Sequence, residues 1–171
     1  MRELITAFSC LQAAQLLDRL ARAAAAVGGT SSAGFVSVDA LGARACPVHV
    51  HVPPGDPLRV RRWLSESGVL KELAASRAVV RLPRDAAVGE PGFLAVPVPV
   101  VARDHLFVWV AGREFGDGEE HLLGRYATAA GRALEAASGL EAAVRLLRGV
   151  GAFGAQGRFG TDRITTKRTA G

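Results

Sequence analysis

Cysteine, lysine and long apolar runs are scarce in this sequence, and each scarcity removes a class of protein. Only two cysteines occur in 171 residues, Cys10 and Cys46, and no C-x-x-C spacing links them. Neither a disulfide framework nor a thiolate zinc site is expected from such a pair. No apolar run reaches the roughly 20 residues needed to cross a bilayer. The first twenty residues, MRELITAFSCLQAAQLLDRL, carry Glu3 and Asp18 inside a helical pattern, unlike a secretory signal. A cytoplasmic chain without a membrane partner is therefore expected. Lysine occurs only as Lys71 and Lys167, although Lys and Arg together number 21. That bias toward arginine fits a GC-rich bacterial coding sequence better than a recognition surface.

The formal charge of +5 and the pI near 10.2 raise the question of nucleic acid. Arg158, Arg163, Lys167 and Arg168 against Asp162 place three of those five charges on residues 158–171. What remains is close to neutral, so no nucleic-acid partner is expected. A 49% hydrophobic composition over 171 residues supports one α+β domain with a real core.

Residues 3–27 read as a helix, with Leu4, Phe8, Leu11, Leu16, Leu20 and Val27 on its apolar stripe and Gly28-Gly29-Thr30 at its end. Cys10 lies near that stripe as a small apolar residue. Segments 33–40 and 45–52 alternate with period two around Leu41-Gly42-Ala43-Arg44, the pattern of a hairpin. His49 and His51 then share one strand face. They supply only half of a tetrahedral metal site, and no acidic or cysteine partner is near in sequence, so the expectation is a solvent-facing surface and no metal. Asp56-Pro57 reads as an N-cap and first helical residue, opening a helix to about Ser67 with Val60, Trp63 and Leu64 inward and Arg59, Arg61 and Arg62 outward. A second short helix over 69–76 and an edge-like strand over 79–83 follow, and RDAAVGEP at 84–91 has the composition of a loop.

The stretch that organises the rest is 93–137. Phe93 to Val101 and Leu106 to Gly112 are β-branched and aromatic runs joined by Arg103-Asp104-His105. Pro97 and Pro99 cannot both donate to a neighbouring ladder, so one side of that strand should be unpaired or bulged. Asp117-Gly118-Glu119-Glu120 reads as a capping box between Asp117 and Glu120. In the helix that follows, Tyr126, Ala130, Ala133, Ala137, Leu140, Val144 and Leu147 are spaced as a heptad seam. From 117 to 148 that helix would be about 48 Å long. Gly124, Gly131 and Gly139 cost it about 1 kcal/mol each relative to Ala. Burying Leu140, Val144 and Leu147 would return roughly 1.5 to 3 kcal/mol apiece only if something covers the seam, either a second copy or the first helix of this chain.

These residues resemble the closing signature of the GAF domains, small cytosolic sensor and dimerisation modules. The resemblance rests on Leu94-Ala95-Val96-Pro97-Val98, the strand 106–112, Phe115 ahead of Glu119-Glu120, Leu122-Leu123, and the Ala-rich run 127–137. It implies an α+β fold with a central antiparallel sheet of five to six strands. N- and C-terminal helices would pack on one face and a helical lid, residues 56–92, on the other. One GAF-like domain over 1–149 is expected; the heptad seam, which runs past the resemblance, makes helix 117–149 a projecting candidate coiled coil, and glycine density makes 150–171 a basic disordered tail. The resemblance also implies a ligand cavity under the lid, with Trp63, Leu64, Leu82, Phe93 and Trp109 as lining candidates and Arg81 and Glu90 as polar anchors. For any one aromatic, cavity wall and core filling both remain open.

Familiar ligands of the family leave no mark here. The loop before the Val-Pro strand holds Glu90-Pro91-Gly92 where haem-binding members use a histidine. No cysteine sits in the bilin-attachment loop, and the Asn-Lys-Phe-Asp-Glu signature of cyclic-nucleotide members is missing. No cofactor is expected. The functional expectation is a non-enzymatic regulatory module that binds an unknown small ligand or partner, forms a homodimer through its last helix, and acts on a separate output domain or protein. The alternatives are a purely structural dimerisation domain and a thiol-based methionine sulfoxide reductase, whose cysteine arrangement Cys10 and Cys46 do not reproduce.

Overall fold

Alternating apolar residues build a five-stranded antiparallel sheet that is covered on both faces. The computed structural model describes the backbone of residues 2–156 except 42, 43, 102 and 103, and side chains over 12–140 with those same gaps and at 142 and 143. The chain runs α1 (Arg2–Val27), β1 (Ser32–Val38), β2 (Ala45–His51), α2 (Val60–Glu66), α3 (Val69–Ala75), β3 (Val80–Asp85), β4 (Glu90–Val98), β5 (His105–Ala111) and α4 (Asp117–Gln156). The strand order is β2-β1-β5-β4-β3. The segment Met1–Glu135 forms one compact unit, which holds the whole sheet, and Ala136–Gly171 forms a second.

The pleat sorts side chains to opposite faces. Ala33 and Phe35 of β1, Leu94, Val96 and Val98 of β4, and Val108 and Val110 of β5 join Ala21, Ala24 and Ala25 of α1 and Leu123 and Ala127 of α4 in one core cluster. Phe93, Ala95, Phe107, Trp109 and Ala111 face the other way and pack with Val60 and Leu64 of α2 and Val69 and Leu73 of α3. Small residues on the first face let long helices lie close to the sheet, whereas large aromatics on the second stand beneath two helices of seven residues each.

Several element boundaries differ from the sequence expectation for physical reasons. α1 ends as foreseen, in a Schellman turn: the Gly29 N–H donates to Ala26 (3.1 Å), the Thr30 N–H to Ala25 (2.9 Å), and Gly29 takes φ +60°. Thr30 Oγ1 then donates to the Ala111 carbonyl, fastening the turn to β5. α2 starts at Val60 and not at Pro57. Asp56 caps it from outside, its carboxylate accepting from the N–H groups of Val60 (2.9 Å) and Arg61 (3.0 Å), while Arg59 takes φ 51°. Residues 84–91 are no loop: Asp85 pairs with Glu90, so β3 and β4 form a hairpin turning at residues 86–89. β4 accordingly begins three residues before Phe93.

The β3 pairing stops at Val80 and Ala95, so the outer edge of β4 beyond Ala95 lacks a neighbour, as the prolines require. The capping box at α4 is shifted by one residue. Gly116 N–H donates to Glu119 Oε2 (3.0 Å) and Glu120 N–H to the Gly116 carbonyl (3.1 Å), which leaves Asp117 free for another partner. α4 runs to Gln156 through Gly149, Gly151 and Gly154, seven residues beyond its expected end. The expected tail from 157 onward, the hairpin residues Gly42 and Ala43, and Arg103 lie outside the described residues. Among the described residues, no helix is long and apolar enough to cross a membrane.

Candidate functional site

Polar bonds fasten α2 to the sheet, and in one of them Arg61 Nη2 donates to the Val50 carbonyl of β2 at 3.0 Å. Trp63 Nε1–H on α2 donates to Glu90 Oε2 at the start of β4, at 2.7 Å. Below it the Trp63 ring lies 5.3 Å from Phe93, tilted by 49°, and Phe93 lies 5.9 Å from Trp109 in a stacked arrangement. The three rings thus fill the space between α2 and the sheet, and aromatic pairs at these separations are attractive beyond their burial. Gly34 permits this packing: a Cβ there would meet the Trp109 ring at 2.7 Å and the His49 carbonyl at 2.2 Å. The buried Trp109 indole N–H has no hydrogen-bond partner among the described residues.

Outside this stack a cleft of about 540 Å³ opens between α2 and the β3–β4 turn. Pro57, Leu58, Val88 and Pro91 give it apolar walls, Trp63 and Glu90 close its inner end, and Arg59, Arg62, Glu66 and Arg84 bring charge. Arg62 Nε donates to both Glu66 carboxylate oxygens, at 3.0 and 2.9 Å. The backbone N–H of Arg84 donates to Glu114 Oε2 (2.6 Å), but neither its guanidinium nor that of Arg59 has a hydrogen-bond or ion-pair partner among the described residues. Among the described residues, Arg59 and Arg84 are therefore the cleft's unpaired cations.

Of the seven candidate pocket residues, the cleft brings together Trp63 and Glu90. Leu64, Phe93 and Trp109 are core residues at 2%, 0% and 0% exposure, not cleft wall, and half-buried Leu82 packs against the same core. Arg81 is not an anchor in the cleft. Its Nη1 reaches Asp117 at 2.7 Å and Glu120 at 3.5 Å, so it joins β3 to the first turn of α4. Asp117's hydrogen bond and charge raise the already high pKa of that guanidinium further. Sequence reasoning missed Arg59, Arg84, Leu58 and Val88. The signal was the arginine run 59–62 opposite Arg84, which only the β3–β4 hairpin reveals as one site.

At the start of α4, Glu119 is held below the usual carboxylate range by the N–H of Gly116, then by its own N–H and by Arg113, whose Nη2 lies 2.9 Å away. The seam on α4 splits. Tyr126 donates its hydroxyl to the Leu20 carbonyl of α1 at 2.5 Å, and burial pushes its pKa up to about 12. Ala130 is buried in the domain itself, so these first two seam positions are taken up by the chain's own core and not offered to a partner. Ala133 and Ala137 are half-buried, Leu140 is 68% exposed, and the side chains of Val144 and Leu147 lie outside the described residues.

His49 and His51 do share a face, but it is the face that meets α1. Asp18 Oδ1 lies 3.3 Å from His49 Nε2 and 3.7 Å from His51 Nδ1, while its other oxygen pairs with Arg22 at 2.8 Å. No group of three or more His, Cys, Asp or Glu among the described residues is placed to hold a metal. Cys46 is exposed on β2, and the Cys10 side chain lies outside the described residues.

No protein-family model matches the sequence, and a search of curated proteins finds no match. Solved structures do match in shape. The GAF3 domain of Slr1393 from Synechocystis sp. PCC6803, in its photoproduct state, is similar with a TM-score of 0.54 at 14% identity, covering 74% of this chain and 96% of that one. The GAF domain/HD domain protein from Geobacter sulfurreducens gives 0.51 at 17% identity, covering 73% of this chain and 93% of that one. At identities too low to carry a ligand across, the likeness shows the fold, and the fold of this chain is the GAF-domain fold.

Proposed function

We propose that this chain is a non-enzymatic, cytoplasmic regulatory module that holds a small ligand in the cleft beside α2 and signals through dimerisation of α4 to a separate output domain or protein. The observation that carries this reading is that one strand serves both places. On β3, Arg84 borders the cleft, and three residues earlier Arg81 pairs with Asp117 and Glu120 in the first turn of α4. A ligand that draws the β3–β4 turn toward α2 pulls on the strand that holds the start of the long helix. Differential binding to two positions of that strand is all the coupling requires. An exposed, solvent-screened ion pair of this kind adds little to stability, so its removal isolates signalling from folding.

The test combines a thermal-shift screen of metabolites with sedimentation. A ligand at 100 times its Kd raises stability by about 2.7 kcal/mol and changes the association of the wild-type chain. In Arg81→Ala the same ligand still raises the melting temperature, and the effect on association is lost. If no metabolite shifts melting, or if Arg81→Ala responds like wild type, the reading fails.

A second reading, a dimerisation domain without a ligand, draws support from the Trp63–Phe93–Trp109 stack, which fills the space where the resemblance implies a cavity. It predicts dimers that ignore every compound in the screen. Leu140→Ala would weaken association under both readings.

A further inference from the structure

We infer that the cleft beside α2 selects small organic anions with a flat apolar body, held by the guanidiniums of Arg59 and Arg84, with a hydrogen-bond donor on the ligand meeting Glu90. The inference rests on the ligand-binding reading of this cleft and adds its chemistry. Arg62 and Glu66 satisfy each other, so they contribute little net field. Glu90 gives one oxygen to the Trp63 indole, and its Oε1 has no partner among the described residues. Arg59 and Arg84 are exposed, line the same cleft and have no acidic partner.

A guanidinium is a planar fork of N–H donors that matches a carboxylate or phosphate with two parallel bonds. Two such forks and one open carboxylate oxygen define polarity along the cleft: acceptor groups of the ligand at the arginine end, a donor at the Glu90 end. The 540 Å³ volume and the walls of Leu58, Val88 and Pro91 leave room for an apolar body that a bare inorganic anion would not fill. A cation would face two unpaired arginines, and a neutral ligand would leave both without a partner.

The test is an NMR titration of the full chain with five probes that share one ring: benzoate, phenyl phosphate, 4-aminobenzoate, benzamide and benzamidine. Benzoate and phenyl phosphate should shift amides of residues 57–67 and 84–91, and the tighter of the two names the anionic group. 4-Aminobenzoate should bind several-fold more tightly than benzoate, and Glu90→Gln should erase that advantage. Arg59→Ala and Arg84→Ala should each weaken benzoate about tenfold, close to 1.4 kcal/mol, whereas Arg77→Ala, on an exposed loop away from the cleft, should not. All four positions keep dispersed spectra if folded, which separates lost binding from lost structure. Benzamide or benzamidine binding at these amides as tightly as benzoate would overturn the anion class while leaving the cleft a ligand site. Silence from all five probes, or equal weakening by Arg77→Ala, would overturn the inference itself. An advantage of 4-aminobenzoate that survives Glu90→Gln would overturn the role given to Glu90.

Discussion

The two faces of the sheet are built to different rules. On one face, alanines of α1 and α4 lie against valines and leucines, and α1 with the first half of α4, up to Glu135, covers the strands. On the other, two seven-residue helices rest on a stack of three aromatic rings, tied down by the Trp63–Glu90 and Arg61–Val50 hydrogen bonds. Small side chains make a close joint with little to rearrange. Large rings beneath short helices make a joint whose stability is concentrated in few contacts, and short elements with few contacts open at lower free energy than the body they cover. The cleft and its unpaired arginines lie at the margin of that second face, where a ligand can act on it.

Substitutions in each face sharpen this comparison. The largest effect is expected in the aromatic stack, where Trp109→Ala should cost about 3 to 5 kcal/mol in denaturant unfolding, because the cavity sits under helices too short to collapse into it. By contrast Trp109→Phe keeps a ring and removes an indole N–H that is buried without a partner among the described residues, so its loss should fall well below that range. On the alanine face the weakness is overpacking. Ala24→Leu should cost about 1 to 3 kcal/mol, since Ala24 is fully buried between α1 and the sheet.

Smaller still is Tyr126→Phe, about 1 kcal/mol for its hydrogen bond to Leu20, with a distinctive dependence on pH. The folded state raises the Tyr126 pKa from 10.0 to about 12, so the neutral phenol is the form the fold prefers. Its contribution is complete below pH 10 and is lost as pH rises from 10 toward 12. Stability curves of wild type and Tyr126→Phe should therefore converge in that interval. Least affected is the isolated chain carrying Leu140→Ala, whose thermal unfolding at high dilution should stay within about 0.5 kcal/mol of wild type. Its association should weaken.

The sheet was legible in the sequence because period-two patterns or β-branched runs survive in its strands, β3 included as the edge-like stretch 79–83. The β3–β4 hairpin was hidden by its turn, Ala86-Ala87-Val88-Gly89, which lacks the Asn-Gly or Asp-Gly pair that marks a tight hairpin. With it went Arg84 and Val88, and so half of the cleft. Three acids in four residues, Asp117, Glu119 and Glu120, allow two registers of capping box, and nothing local chooses between them. The choice is tertiary, since Arg81 from β3 takes Asp117 and Arg113 takes Glu119. Trp63 and Glu90 could be named because each carries a polar group that burial must satisfy. Phe93 and Trp109 carry the same signal of size, and only their strand register, facing α2 and α3 on the inside of the lid, tells core from cleft.

The difference between the faces is tested most directly by native-state hydrogen exchange read at individual amides. Amides of α2 and α3 should exchange through local openings of lower free energy than those of residues 17–27 in α1, 120–131 in α4, or β5, and Glu90→Gln should lower the α2 value further. Exchange of α2 and α3 only at the rate of global unfolding, equal to that of β5, would contradict the account.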